Sequence, residues 1–461
     1  MLPRTRRSGA RGAPNGEPPM FIMYFTEQPM SAYPEEEARK RDGLTVLRFS
    51  NEFYDSDAGS QIYQDRLAEY QLVDEVGFDG IMLNEHHNAP FCMQPQIQIW
   101  ASILAAVTNN VKIVLLGVPL PLRDNPVATA EELGMIDMIS QGRLVPGLIR
   151  GGGTEQFAMN ANPAYNRDRL EEAHDLIIKT WTTPGPFRWE GDQYHFRVVN
   201  PWALPMQKPH PRIWVPGTSS LETVQWAAAH RYPYIGLGTD ERAQKRIMGT
   251  YKEVAAEKGY EVGTWNFGQT IHFHVQDTME QAMRNAREFM WMAGEFTGLG
   301  HPVWSSPSGY LWGAPDSPAA IARRRGAVAR NNQRQGAKGL RSAGGGADTG
   351  ATLQKHLDDL TWIMGDPDHA IAQLRKVLEQ TRPGIVSFYA TDGHISHRDN
   401  MRNIELIGEK VIPAMREMAE ELDLKSPFEV DVPISLATTP PEDLKPYEYS
   451  IEDDPMFANI A

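Results

Sequence analysis

The chain holds a single cysteine, Cys92, so no intrachain disulfide can form. That usage fits a reducing cytoplasm, the expected location. No run of about eighteen apolar residues occurs, which excludes a membrane-spanning helix. Basic charge is in deficit, with 45 Lys and Arg against 59 Asp and Glu and a formal net charge of −14. So acidic a chain is unsuited to binding a polyanion, and nucleic acid is excluded as an expected partner. Residues 1–20 carry Arg4, Arg6, Arg7 and Arg11 but have no apolar segment behind them. They lack the h-region of a signal peptide and read as a disordered tail.

Against these absences stands a sustained alternation. Apolar, strand-like runs begin at Phe21, Phe78, Val111, Arg143, Arg212, Pro233, Gln269 and Ile385, and each is followed by a helical pattern. Continuous apolar runs are how parallel strands covered on both faces are written. Strand–helix repetition points to a parallel sheet, and eight repeats fit the (β/α)₈ TIM barrel. A doubly wound open sheet is the rival. The stretch 187–211 has hairpin character. Residues 298–352 break the pattern as an arginine- and glycine-rich insertion before the last strand, either a disordered insert or a lid. The expected organisation is a barrel over 21–425 with an extended tail over 426–461.

Chemistry in such barrels gathers where strands end. The second strand runs into Glu85-His86-His87, the fourth into Arg150-Gly151-Gly152-Gly153, and the fifth into Gly217-Thr218-Ser219-Ser220. His272 and His274 lie near the end of the seventh, where a core or rim role is equally open. Hydroxyls just ahead of a helix, with its first N–H groups, suit an anion, although the same residues read as an ordinary helix cap. Arg150 supplies a permanent planar charge for phosphate, or pairs with a rim carboxylate. Neighbouring rim loops that both suit an anion favour phosphate.

At this point the residues resemble the bacterial luciferase-like flavin monooxygenases. The likeness is carried by "NEHH" (84–87), "MISQGRLVPGLIRGG" (138–152), "KPHPRIWVPGTSSLETVQWAA" (208–228), and "GDPDHAIAQL" (365–374) ahead of "NIELIGEKVIPAMRE" (403–417). It implies a (β/α)₈ barrel, reduced FMN delivered by a partner reductase, and molecular oxygen that forms a peroxyflavin. It implies that Arg150 and Gly151, with Gly217, Thr218, Ser219, Ser220 and the Leu221 amide, hold the FMN phosphate. His86 corresponds to the catalytic histidine, with His87 beside the substrate. Some members carry a reactive cysteine where this chain has Ile149, so no thiol role transfers. The family commonly forms homodimers.

The peroxyflavin must be shielded from water by an apolar pocket, for which Phe91, Met93, His272 and Phe273 are candidates. The expected substrate is a small lipophilic or aromatic compound. Three rivals remain open: a deazaflavin-dependent oxidoreductase on the same fold, a metal hydrolase using Glu85-His86-His87 with His272-x-His274, and a flavin-binding protein that keeps the cradle without turnover. The preferred reading assigns no residue to a metal.

Overall fold

The computed structural model describes residues 19–33, 50–218, 220–290 and 349–435. The tail up to residue 18, Ser219, residues 298–348 of the expected insertion, and the chain beyond 435 lie outside the described residues. The strands are β1 (Phe21–Thr26), β2 (Gly80–Leu83), β3 (Lys112–Pro119), β4 (Leu144–Ile149), β5 (Phe187–Glu190), β6 (His195–Val199), β7 (Val215–Gly217), β8 (Tyr234–Leu237), β9 (Phe267–Val275), β10 (Trp362–Gly365) and β11 (Ile385–Thr391). The helices are α1 (Ser56–Val76), α2 (Ile97–Val107), α3 (Pro126–Ser140), α4 (Gly153–Ala158), α5 (Asn166–Thr182), α6 (Leu221–Ala229), α7 (Glu241–Glu257), α8 (Met279–Met290), α9 (Thr349–Asp358), α10 (Pro367–Thr381), α11 (His397–Leu406) and α12 (Ile412–Glu421).

Eight parallel strands run in the spatial order β1, β2, β3, β4, β7, β8, β9, β11, and β11 pairs back onto β1. The remaining seam is a parallel bridge between Gly147 and Trp214, where the Trp214 N–H donates to the Pro146 carbonyl at 3.1 Å. The (β/α)₈ barrel is thus the observed architecture, and the excursion at 187–211 forms the antiparallel β5–β6 hairpin. One strand went unanticipated. β10 pairs in parallel with the far half of β9, from Trp362 beside His272 to Gly365 beside Val275. At four residues it is too short to show a period.

Side chains alternate across the barrel wall. Phe21, Met23, Phe25, Met82, Val114 and Trp214 fill the interior. Ile22, Tyr24, Ile81 and Ile113 pack outward against the helices. A large apolar side chain so enclosed contributes about 1.5–3 kcal/mol relative to exposure. Phe273 belongs to the outward layer, stacked on Phe388 at 4.1 Å. It therefore does not line the interior, contrary to the expectation above. It occupies the odd register of β9, whereas His272 and His274 occupy the even one.

Helix α1 starts at Ser56, earlier than its apolar periodicity suggests, because Asp55 caps it by accepting from the Asp57 and Ala58 amides. The last expected helix is divided into α11 and α12 by a π turn at Ile407–Val411. Pro413 follows it; a proline has no N–H for the helical ladder and crowds the preceding turn. At the N-terminal end of the barrel, Arg416 of α12 binds Asp79 with two 2.7 Å contacts and donates to the Pro19 carbonyl at 2.9 Å. Residues 19 and 20 are thereby anchored, and Met20 is fully buried. Phe428 sits against Phe21 and Trp214, ring centroids 5.2 and 6.0 Å away, so the start of the C-terminal tail closes the barrel floor.

Candidate functional site

The rim at the C-terminal strand ends carries two groups of polar residues. The first is built where β1 and β2 stop side by side. Glu27 follows β1, and Asn84 follows β2 and donates to the Glu27 carboxyl. Gln94 holds the pair in place, donating to the Thr26 carbonyl at 3.2 Å and to Asn84 Oδ1 at 3.0 Å. The His86 ring leans on Phe91, centroids 4.7 Å apart. His86 Nδ1 lies 2.8 Å from Glu155 Oε1, and the other Glu155 oxygen accepts from the His87 amide at 2.9 Å. Nε2 lies 3.8 Å from Glu27 Oε2, and about a third of the side chain, 32%, remains exposed.

These contacts set the proton affinity of the cluster. Burial alone would lower the His86 pKa, but the carboxylates of Glu27 and Glu155 outweigh it and hold it above the ordinary imidazole value. Burial pushes the Glu27 carboxyl up, against the opposing effects of His86 and Asn84. Both shifts favour retention of a proton shared between imidazole and carboxyl. Burial also raises the Cys92 thiol well above its usual value, which keeps it a thiol rather than a nucleophilic thiolate.

His87 turns the other way. Its Nε2 lies 3.1 Å from Glu85 Oε1, and Arg123 Nη2 reaches the two Glu85 oxygens at 2.8 and 2.6 Å. Glu85 therefore does not orient His86. It anchors His87 in a buried ion chain, so His87, expected beside the substrate, has its ring committed to that chain. Alternation at the strand end separates the two imidazoles, and the Glu85-His86-His87 triplet does not converge on one ion.

The second group lies across the barrel seam. Arg150 and Gly217 each stand three residues beyond the Gly147–Trp214 bridge, hence at the same level of the rim. Gly151 adopts φ of +77°, a left-handed conformation that glycine takes without strain, and the chain turns there into α4. The Arg150 carbonyl accepts from Gln156 at 3.0 Å, which fixes the loop. Thr218 is exposed. Ser220 is the N-cap of α6 but makes no side-chain cap bond, so its hydroxyl is not spent on its own helix. Leu221 opens that helix, whose first amides have no intrahelical acceptor. Beneath Gly217, the Tyr234 hydroxyl is buried with no hydrogen-bond partner among the described residues. Unspent donors, an arginine and a helix start at one level of the rim fit a phosphate ester.

Glu155 joins the two groups, because α4 begins directly after the Arg150 loop and its carboxylate reaches His86. Sequence reasoning missed Glu155, Glu27 and Arg123. The first two carried a usable signal, namely acidic residues just beyond strand ends on the same rim. Of the expected pocket residues, Phe91 touches His86. Met93 lines a cavity of about 470 Å³ together with Met30, Tyr33, Phe53, Tyr54 and Pro90, a size that admits a small organic molecule. His272 does not join this cavity. It stacks on Trp362 at 4.8 Å and contacts Tyr389, and burial depresses its pKa to about 3. His274 is bonded to the Ala390 carbonyl, Gln276 and Asn285, each at 3.0 Å, as a structural core histidine.

Comparisons with known proteins bear on the family and the fold. The sequence profile of a family described as luciferase-like monooxygenase matches residues 46–383. The oxygenase component of the flavin-dependent trigonelline monooxygenase of Acinetobacter baylyi is 28% identical over 240 residues, covering 51% of this chain and 65% of that protein. The matches to two further curated relatives, an uncharacterized protein of Sinorhizobium fredii and the alkanal monooxygenase alpha chain of Photorhabdus luminescens, span 51% and 53% of their length. Among solved structures, the FMN complex of the oxygenating constituent of the 3,6-diketocamphane monooxygenase from Pseudomonas putida, a type II Baeyer-Villiger monooxygenase, superposes with a TM-score of 0.61 at 19% identity, covering 86% of this chain and 99% of that one. A coenzyme F420 dependent tetrahydromethanopterin reductase from Methanopyrus kandleri superposes with a TM-score of 0.56 at 15% identity, covering 86% and 99%.

Proposed function

The chain belongs to the luciferase-like monooxygenase family, an oxidoreductase family, and from that premise we propose that it is the oxygenase of a two-component, FMN-dependent monooxygenase. A separate reductase supplies reduced FMN, and the substrate is a small lipophilic or aromatic compound. The observation carrying this reading is the Glu155 bridge. One carboxylate ties the His86 imidazole to the helix that starts at the Arg150 loop, so a flavin held by its phosphate at Arg150 has an imidazole on the same rim.

When bound, reduced FMN supplies the activation of oxygen, which no side chain can perform alone. The remaining work is the chain's own. Arg150, Gly151, Gly217, Thr218, Ser219, Ser220 and the Leu221 amide bind the phosphate. Phe91 and Met93 exclude water beside the cavity. Glu155 fixes the ring of His86, and Nε2 of His86 gives or takes a proton, with Glu27 as its near store. Membership of the oxygenase-component type is supported by the name of the Acinetobacter baylyi relative.

The deciding experiment supplies the purified chain with a flavin reductase, FMN, NADH and ¹⁸O-labelled oxygen, and screens lipophilic and aromatic compounds for a labelled product. Substrate-dependent oxygen uptake with label incorporation is expected. Turnover that consumes no oxygen would instead favour hydride transfer on a deazaflavin, the reading suggested by the likeness to the Methanopyrus kandleri reductase.

Two variants test the parts. Arg150→Ala removes a charge-assisted contact worth about 1.5–3 kcal/mol, and should weaken reduced FMN about tenfold to a hundredfold. Reduced riboflavin, which lacks the phosphate, should bind as before. Equal losses for both flavins count against phosphate contact. Glu155→Gln removes one of the charges that hold the His86 pKa up. The His86 pKa then falls, and the alkaline limb of the turnover profile, where His86 loses its proton, should move to lower pH. A limb that stays in place denies Glu155 this influence.

A further inference from the structure

We propose that His174, Asp175 and His230 form a site for one transition-metal ion of the zinc class, clamping α5 to the C-terminal end of α6. His174 and Asp175 lie on α5, and His230 directly follows α6. Each offers one ligand atom, and the three atoms lie within 4.8 Å of one another. Ligands about 2.0–2.1 Å from a tetrahedral zinc ion are roughly 3.4 Å apart. Small side-chain rotations therefore suffice to close the set.

The arrangement behind the ligands is what distinguishes this cluster from chance neighbours. A metal-binding histidine usually fixes its far ring nitrogen on an oxygen, which sets the tautomer. His230 Nδ1 lies 2.9 Å from the Trp226 carbonyl, so it carries the proton and Nε2 keeps its lone pair. His174 Nε2 lies 2.9 Å from the Tyr232 hydroxyl, and Nδ1 lies 2.9 Å from Asp175 Oδ1. The ion would take the Nδ1 lone pair of His174 and the facing Asp175 oxygen, the proton between them would move to Nε2 of the same ring, and that Nε2–H would donate to the Tyr232 hydroxyl, so the ring keeps one proton throughout.

The Asp175 side chain is 46% exposed, so water can complete the shell from outside. Two imidazoles and a carboxylate suit zinc, nickel or cobalt better than calcium or magnesium. The other end of α6 is the expected phosphate cradle, so the ion would brace the helix that presents it. It would be a structural ion and would take no part in turnover.

The test uses the full-length chain without a histidine tag, stripped with a chelator and titrated with Zn²⁺ by calorimetry and with Co²⁺ by absorption. One equivalent should bind with micromolar or tighter affinity, raise Tm by several degrees, and give a visible Co²⁺ spectrum typical of few, nitrogen-containing ligands. Asp175→Asn, on the half-exposed side, and His230→Gln should each weaken binding at least tenfold. The chain has 13 histidines, so binding that is unchanged in both variants shows an ion held elsewhere and overturns the proposal. Failure of the unmodified chain to bind either ion overturns it as well.

Discussion

Replacing His86 by alanine should lower substrate oxidation by about 10²–10⁴-fold, the contribution of a positioned proton-transfer group, while reduced FMN binds with nearly unchanged affinity. The imidazole is held at both nitrogens, with Nδ1 2.8 Å from Glu155 and Nε2 3.8 Å from Glu27. Removing it deletes the one group of this cluster whose ordinary pKa lies near neutrality. It leaves Arg150, Gly217 and the start of α6 untouched. The fold should survive, because the side chain is part-exposed and the loop remains tied by the Glu155 contact to the His87 amide. Reduced-flavin oxidation without product should persist as hydrogen peroxide release. The measurement is product formed per flavin oxidised, beside an anaerobic FMN titration. Wild-type coupling in the variant would remove His86 from the chemistry. A parallel loss of FMN affinity would reassign it to cofactor binding.

The largest effect on stability is expected at the barrel seam. In Gly147→Ala, the new methyl group would meet the Leu115 carbonyl oxygen at 2.3 Å, Leu116 Cδ2 at 2.6 Å and the Trp214 carbonyl oxygen at 3.2 Å. Two of the three are backbone atoms of neighbouring strands, so no side-chain rotation relieves the clash. Overpacking a core typically costs about 1–3 kcal/mol. Here the strain falls on the single bridge that joins β4 to β7, so the upper end of that range is expected. Gly249→Ala is the matched control. Gly249 lies within α7, and nothing stands within 4 Å of the methyl position, so the change should stabilise by about 0.5–1 kcal/mol through helix propensity. Denaturant melts of the two variants should separate in opposite directions from the parent. Equal midpoints would mean that the seam is looser than its geometry implies.

The seam also bears on the proposed cofactor. Arg150 and Gly217 stand at one level of the rim because β4 and β7 meet at Gly147 and Trp214. A barrel that opens there should release flavin before it unfolds globally, and FMN binding in Gly147→Ala should weaken accordingly.

Much of this molecule is written locally. Burial on both faces turns each parallel strand into an unbroken apolar run, and the runs starting at Phe21, Val111 and Ile385 are legible for that reason. The rim residues follow almost directly, because a polar cluster that ends such a run must stand at the C-terminal face. His86, Arg150 and Ser220 were therefore identifiable as site candidates before any contact was known. Phe273 was misread because the periodicity of two fixes which residues share a face and not which face looks inward. The partner of Glu85 is not legible locally, because Arg123 stands 38 residues away.

The sequence by itself determined the order of the eight barrel strands and their helices, the family, and a part of the polar rim that includes His86, Arg150 and Ser220, since each is encoded in a window of a few neighbours. Only the tertiary structure decided who touches whom. Glu155 meets His86 across 69 residues of chain, Phe428 closes the floor beneath Phe21, and the two imidazoles of the histidine pair face different partners. Such pairings arise from barrel closure and loop path, which depend on the whole chain packing at once and leave no trace in local pattern.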